Sequence, residues 1–229
     1  MLFRSVLKSS GYQVAEYVQK DATENNLKSS HGLTVLHIAT HGFFFPDVEK
    51  ASWPIGVHAD NAKDNVLLRS GLVLTGVMEG DKLNPTMDSV SNGVMTSYEA
   101  MNLDLKGTKL VVLSACETGL GEVQSGEGVS GLRQAFQLAG AKAVVSTLWK
   151  VPDKQSARLM ALFFQNLSKS MSKSEALRAA KLKIIAERRD DSAAAHPFFW
   201  AAFTLTGEPC ETASSGARSV SDGFSRRRR

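Results

Sequence analysis

The sequence predicts an α/β fold in which helices cover both faces of a mostly parallel sheet. Three nearly continuous apolar runs, at 33–40, 109–115 and 142–149, are typical of central parallel strands that are buried on both sides. Segments with a helical spacing of apolar residues lie between and after these runs. Such alternation of strand and helix patterns is characteristic of a parallel sheet with helices packed on its faces.

Shorter elements surround the first central strand. Thr96 and Glu99 have the spacing of a capping box and predict the start of a short helix. The segments 46–68 and 79–93 show little periodicity and are predicted to be surface loops that gate a site. The other elements predicted here are a helix at 2–9, a strand at 11–19, a polar helix at 22–30 and a strand at 70–77.

Three helices are predicted in the second half of the chain. Apolar residues at helical spacing indicate one over 125–140, and Gly140 is its expected end. Another begins with Pro152 in its first turn, where a proline is tolerated. The third begins at Ser172, which forms a second capping-box pattern with Glu175.

We expect one domain over residues 1–208 and a disordered tail over 209–229. Aromatic and β-branched residues at 197–207 predict the last ordered strand. Beyond Glu208 the chain consists mostly of Ser, Gly, Ala and Arg, which cannot bury enough apolar surface to become ordered. A chain of 229 residues with 43% hydrophobic and 22% charged residues is long enough to bury a sizeable core.

Charge and cysteine content exclude several functional classes. The net charge of +4 equals the charge of the terminal run Arg226–Arg229, so the rest of the chain is neutral and gives no support for nucleic-acid binding. The two cysteines, Cys116 and Cys210, are too few for a disulfide-built secreted scaffold, which favours the cytoplasm. No apolar stretch approaches the ~20 residues of a membrane span, so we expect no membrane partner.

Reactive side chains follow two of the central strands where each strand ends. His41 and Gly42 come after 33–40, and Cys116 comes after 109–115. The carboxyl ends of parallel strands lie at one rim of a sheet, where ligands bind. A free thiol titrates near ~8.5, and a nearby imidazole can take its proton to leave the nucleophilic thiolate. Backbone N–H groups of Gly42 and Cys116 are candidates for an oxyanion hole.

Structural interpretations of the same residues stay open. A cysteine at a strand end is often a small buried apolar residue, and only the joint placement with His41 favours chemistry. His37 and His41 form an H-x-x-x-H pair, but in a strand they lie about 13 Å apart and cannot share a metal ion. His37 is therefore predicted to be either a satisfied core histidine or a histidine that supports a neighbouring site residue. No metal and no cofactor are expected.

The segment GEGVSG at 126–131 matches the glycine pattern of dinucleotide-binding turns. The match is weak, because ten residues separate it from the end of the preceding strand at Ala115. A cofactor-binding α/β domain therefore remains only a formal alternative.

The segments that carry these features resemble the CHAT domain, a caspase-like module usually found after tetratricopeptide repeats. The resemblance runs from about Gly11 to Glu208 and implies a caspase-like three-layer sandwich. The matching segments, in order, are VLHIATHGFF, SGLVLTG, GVMTSYEAMNLDLKGTKLVVLSACETGLGE, GEGVSGLRQAFQLAGAKAVVSTLWKVPD, SEALRAAK and HPFFWAAFTLTGEP.

The resemblance implies a cysteine endopeptidase of the clan that includes caspases, metacaspases and separase. It makes His41 the general base, Cys116 the nucleophile and Gly42 part of the oxyanion hole, with a protein or peptide as substrate. Glu117 and Asp153 are candidates for a pocket that favours a basic residue, although an acid in the first turn of a helix is stabilising anyway. A tetratricopeptide-repeat region or a regulator is a further expected partner.

The start of the chain departs from the family pattern. CHAT domains normally begin with a further strand and helix upstream of the segment that matches residues 1–20. We therefore expect the sheet to lack its N-terminal strand, and the loss of an inner strand would expose a sheet edge. This departure favours the alternative of a non-catalytic interaction or signalling module with a vestigial His-Cys dyad.

Overall fold

The computed structural model describes residues 2–44, 66–76, 93–114, 116–117, 127–192, 195–210 and 219–225. The helices are α1 (Leu2–Ser9), α2 (Glu24–Lys28), α3 (Val66–Arg69), α4 (Ser97–Ala100), α5 (Glu127–Leu138), α6 (Asp153–Ser168) and α7 (Lys173–Ser192). The strands are β1 (Gln13–Val18), β2 (Val35–Ala39), β3 (His41–Phe44), β4 (Ser70–Val73), β5 (Val94–Thr96), β6 (Leu110–Leu113), β7 (Cys116–Glu117), β8 (Ala143–Thr147), β9 (Phe203–Gly207) and β10 (Ser219–Ser225). Short 3₁₀ turns lie at Gln19–Asp21 and Pro197–Phe199.

Within these ranges, six strands form the main sheet in the order β1-β10-β2-β6-β8-β9. Neighbouring strands are parallel except for β8 and β9, which are antiparallel. A second sheet, in the order β5-β4-β3-β7, lies beyond the carboxyl ends of β2 and β6. The predicted α/β class is confirmed, and the three apolar runs form β2, β6 and β8.

Each face of the main sheet packs against its own apolar cluster. On one face, Val35 of β2 joins residues of α1, α6 and α7, including the fully buried Phe163. On the other face, Leu36 and Ile38 join residues of α2, α4 and α5, including the fully buried Phe136. Because alternate residues of a strand point to opposite faces, a strand covered on both faces requires a continuous apolar run. Each large side chain buried in this way contributes about 1.5–3 kcal/mol.

Helix boundaries follow the predicted signals. The Thr96 hydroxyl accepts a hydrogen bond from the Glu99 backbone N–H at 3.2 Å, and the Glu99 carboxylate accepts one from the Thr96 N–H at 2.9 Å. Ser172 and Glu175 make the same reciprocal pair at 3.3 and 3.2 Å, ahead of α7. Gly140 has φ +111°, and a Cβ there would lie 3.0 Å from a backbone nitrogen, so glycine is required where α5 ends.

The C-terminal segment differs from its predicted disorder over 209–229. Residues 219–225 form β10, which pairs with β1 on one side and β2 on the other. An inner strand bonds its backbone N–H and C=O groups on both sides, and this stabilisation is independent of side-chain polarity. Composition therefore gave no sign of the strand. Among the described strands, β10 lies between β1 and β2 and covers the side of β2 that faces away from β6.

Further predictions need correction or lie outside the described residues. Of the strand predicted at 197–207, Pro197–Phe199 form a 3₁₀ turn and only Phe203–Gly207 form β9. Proline fixes φ and lacks a backbone donor, so it starts a turn here in place of a strand. Most of the predicted loops 46–68 and 79–93 lies outside the described residues, although the end of the first belongs to α3.

Candidate active site

The candidate site lies where two neighbouring strands leave the main sheet and pair again in the second sheet. In the main sheet, Ile38 of β2 is the register partner of Leu113 of β6. In the second sheet, His41 of β3 is the register partner of Cys116 of β7, again in parallel orientation. Both segments of the chain advance by three residues between these pairs, from 38 to 41 and from 113 to 116. The equal steps keep the two strands in register.

This register brings the two sequence-predicted reactive residues to neighbouring backbone positions. Adjacent strands of a sheet lie about 4.8 Å apart, so His41 and Cys116 face each other across one strand spacing. Gly42 pairs with Glu117 at the next position. The His41 side chain is half-buried and Gly42 is buried. The arrangement places an imidazole-bearing and a thiol-bearing residue side by side at the rim predicted from the sequence.

The backbone on the His41 side is fixed by an antiparallel neighbour. His41 pairs with Val73 of β4, and Gly42 pairs with Leu72. Thr40, the single residue between β2 and β3, donates its hydroxyl proton to the Val73 carbonyl. Because β3 lies between β4 and β7, its main chain is held from both sides.

Close packing in the second sheet depends on a glycine that sequence reasoning did not single out. Gly71 of β4 is the register partner of Phe43. A Cβ on Gly71 would lie 2.3 Å from the Met95 carbonyl oxygen and 2.7 Å from the Phe43 ring. The ring occupies the space that a side chain would need. One residue away, the buried hydroxyls of Ser70 and Ser97 are hydrogen-bonded at 2.7 Å.

A buried histidine fastens the two strands just before they leave the main sheet. Nε2 of His37 is hydrogen-bonded to Oγ of Ser114 at 3.0 Å, and the Ser114 N–H donates to the Ile38 carbonyl at 2.8 Å. His37 is 3% exposed, and burial lowers the pKa of its imidazole to about 4. The ring is therefore neutral near pH 7. The core assignment of His37 is confirmed; its partner Ser114 was missed, although a serine between an apolar strand and Cys116 was the available signal.

The two predicted pocket acids lie in different elements, Glu117 in β7 and Asp153 in α6. Glu117 lies in β7 beside Gly42, at the rim. Asp153 is exposed in the first turn of α6, where its charge complements the helix dipole. The helix α6 follows β8, so it starts at the same end of the sheet as the rim.

Neither the histidine pair His37 and His41 nor the segment GEGVSG has the structure that its sequence motif requires. His37 and His41 lie in successive strands, and among the described residues no three His, Cys, Asp or Glu side chains cluster as metal ligands. Of GEGVSG, the part from Glu127 onward belongs to α5, so its last two glycines lie within a helix. A dinucleotide fingerprint needs its glycines in the turn between strand and helix, and this segment does not fit it.

The mostly parallel sheet with helices on both faces is an α/β sandwich compatible with the caspase-like type. Within that class, residues 4–208 match the CHAT domain, and the chain belongs to this family. In the part of the chain that the structure describes, no helix has the length and apolar character to cross a membrane.

Curated relatives connect the family match with tetratricopeptide repeats. The chain is similar to Tetratricopeptide repeat protein 28 of Mus musculus, with 34% identity over 114 residues. It is also similar to the protein of the same name from Homo sapiens, with 33% identity over 114 residues. Each aligned stretch covers 50% of this chain but only 4% of the relative. The names agree with the association of CHAT domains with such repeats.

Proposed function

We propose that the chain is a cysteine endopeptidase that cuts peptide bonds with His41 and Cys116. The observation that carries this proposal is the register of β3 and β7, in which the two residues are partners. Family membership supports the proposal, because the CHAT fold is caspase-like. The pairing of β3 with strands on both sides also supports it, since catalytic groups must be held in a fixed geometry.

The proposed mechanism is acyl transfer in two steps. The imidazole of His41 takes the proton of the Cys116 thiol, and the thiolate attacks the carbonyl carbon of the peptide bond. The oxyanion is stabilised by backbone N–H groups, with Gly42 offering an approach that no side chain blocks. The imidazolium then protonates the leaving amine. Water, deprotonated by His41, hydrolyses the thioester and restores the thiol.

The decisive test compares the two cysteines. Cys116→Ala is expected to abolish cleavage of a protein or peptide library, whereas Cys210→Ala is expected to leave it unchanged, because Cys210 is exposed beyond β9. A thiol-reactive peptide probe should label Cys116 in the wild-type chain and lose this label in His41→Ala. Equal cleavage by Cys116→Ala would refute the proposal.

Glu117 and Asp153 belong to a finer proposal about the substrate. A carboxylate at the rim would favour a basic residue before the cleaved bond, because hydrogen bonds between Arg or Lys and a carboxylate are stronger than those between neutral groups. Glu117, next to Gly42 in register, is the better candidate. We expect Glu117→Gln to lower the preference for Arg over Ala at that position, and Asp153→Asn to leave it unchanged. The opposite pattern would move the pocket to α6.

A non-catalytic interaction module is the second candidate. It is favoured by the aligned relatives, whose names describe tetratricopeptide-repeat proteins and say nothing of proteolysis. In this case the domain would bind a repeat region or a regulator, in the cytoplasm. A folded sample whose Cys116 fails to react with peptide probes, but which binds a repeat fragment in pull-down and calorimetry, would support this function against the peptidase.

A further inference from the structure

The strand β10 fills an inner position of the main sheet from the far end of the chain. It is parallel to β1, with Gln13 opposite Ser219, and parallel to β2, with Val35 opposite Val220. An inner position of a parallel sheet normally receives a strand that is apolar on both faces. The other inner strands, β2, β6 and β8, have the sequences VLHIA, LVVL and AVVST.

The sequence of β10 suits this position poorly. It reads SVSDGFS, in which Val220 and Phe224 are the only apolar residues. Aspartate and glycine are disfavoured in strands, and the three serines of β10 bury little apolar surface. The pairing also slips, between Asp222 and Phe224 against β2 and between Glu16 and Val18 against β1. The neighbour β2 is almost completely buried along its length, and its sequence is apolar at four of five positions.

The connection to β10 is long enough to let the strand leave without disturbing the rest. Gly207 pairs with Ala143 at the amino end of β8, and Ser219 pairs with Gln13 at the amino end of β1. Both ends of the connection therefore lie on the side of the sheet where the parallel strands β1 and β8 begin. Four strand positions separate β9 from β10, which is about 19 Å at ~4.8 Å per strand. Twelve residue steps, 219−207, reach about 40 Å when extended.

We propose that the position between β1 and β2 is an exchangeable strand-binding site, which takes an extended apolar segment of another polypeptide in parallel alignment. β10 is its weakly held occupant in the free chain. When β10 leaves, β1 and β2 both present unpaired backbone groups, and strand addition satisfies both edges at once. The incoming segment gains over β10 because its side chains bury apolar surface on both faces. A run of about five residues rich in Val, Ile, Leu or Phe matches the length of β2.

The test uses the full chain and synthetic peptides of residues 219–225. Ser221→Pro in the chain should expel β10, because proline in an inner strand removes a ladder hydrogen bond. We expect amide exchange at 13–18 and 35–39 to become at least tenfold faster. A peptide carrying Ser221→Val and Asp222→Val should bind one per chain and restore slow exchange, whereas the same peptide with Ser221→Pro should not.

A second arm does not depend on that variant being folded. Ser221→Val with Asp222→Val in the full chain should slow exchange at 13–18 and 35–39, while Ser214→Val with Ser215→Val should not. The apolar peptide should displace β10 from the wild-type chain and should displace it less from the Val variant. The proposal is overturned if β1 and β2 exchange at the same rate in all variants. It is also overturned if the chain does not bind the peptide and forms a dimer, since β10 of a second copy would then occupy the position between β1 and β2.

Discussion

Lowering the pH from 7 to 5 is expected to destabilise the fold through His37. Burial lowers the pKa of its imidazole from the ordinary 6.5 to about 4 in the folded chain. As the pH falls below 6.5, the unfolded chain takes up this proton first, so the free energy of unfolding decreases. The stability that depends on an uncharged His37 is present above pH 6.5, and it is lost progressively as the pH falls from 6.5 toward 4. With these two pKa values, the loss between pH 7 and pH 5 is about 2 kcal/mol.

The assay is urea unfolding at the two pH values, followed by tryptophan fluorescence. His37→Gln removes the titration but keeps an amide that can bond to Ser114, 3.0 Å away in the wild type. This variant should lose about 2 kcal/mol less than the wild type between pH 7 and pH 5. His31→Gln is the matched control, because His31 is exposed. An identical pH dependence in wild type and His37→Gln would refute the argument from burial.

Further predictions concern the second sheet and the hydrogen bond beneath the site. Gly71→Ala should destabilise the chain by about 1–3 kcal/mol in urea unfolding, because its Cβ would overlap the Met95 carbonyl and the Phe43 ring. Gly32→Ala, whose Cβ meets nothing within 4 Å but whose φ is +66°, should cost less, and a larger loss there would contradict the packing argument. Ser114→Ala should cost about 1–3 kcal/mol by leaving Nε2 of His37 without its serine partner, and a neutral result would show that the bond contributes nothing.

The elements predicted correctly are those whose signals are local. Each of the three apolar runs became an inner strand, because burial on both faces leaves few residue types that fit. Thr96 and Ser172 cap their helices as predicted, since a capping box is formed by residues close in sequence. Gly140 ends α5 because only glycine fits its backbone.

The features that were missed depend on contacts between distant parts of the chain. The strand β10 forms because it pairs with β1 and β2, which lie about two hundred residues earlier in the sequence. No pattern within its own sequence, SVSDGFS, indicates a strand. The sequence around Gly71 does not indicate that glycine is required there, because the requirement arises from the Phe43 ring of the neighbouring strand. Ser114 acquires its role only when β6 lies beside β2 and His37 reaches it. Such tertiary contacts override local propensity.

The pairing of His41 with Cys116 follows from the way in which two segments of the chain, β2 to β3 and β6 to β7, pass from the main sheet to the second sheet. In the main sheet, Ile38 is paired with Leu113. Each segment then continues for three residues, from 38 to 41 and from 113 to 116, before the two pair again in the second sheet. One residue more in either link would shift the partner of His41 by one position. The hydrogen bond between His37 and Ser114 lies just before this crossing and resists such a shift. Register is thus fixed by connectivity and by one buried bond, so the position of β2 between β6 and β10 bears directly on the geometry of the site.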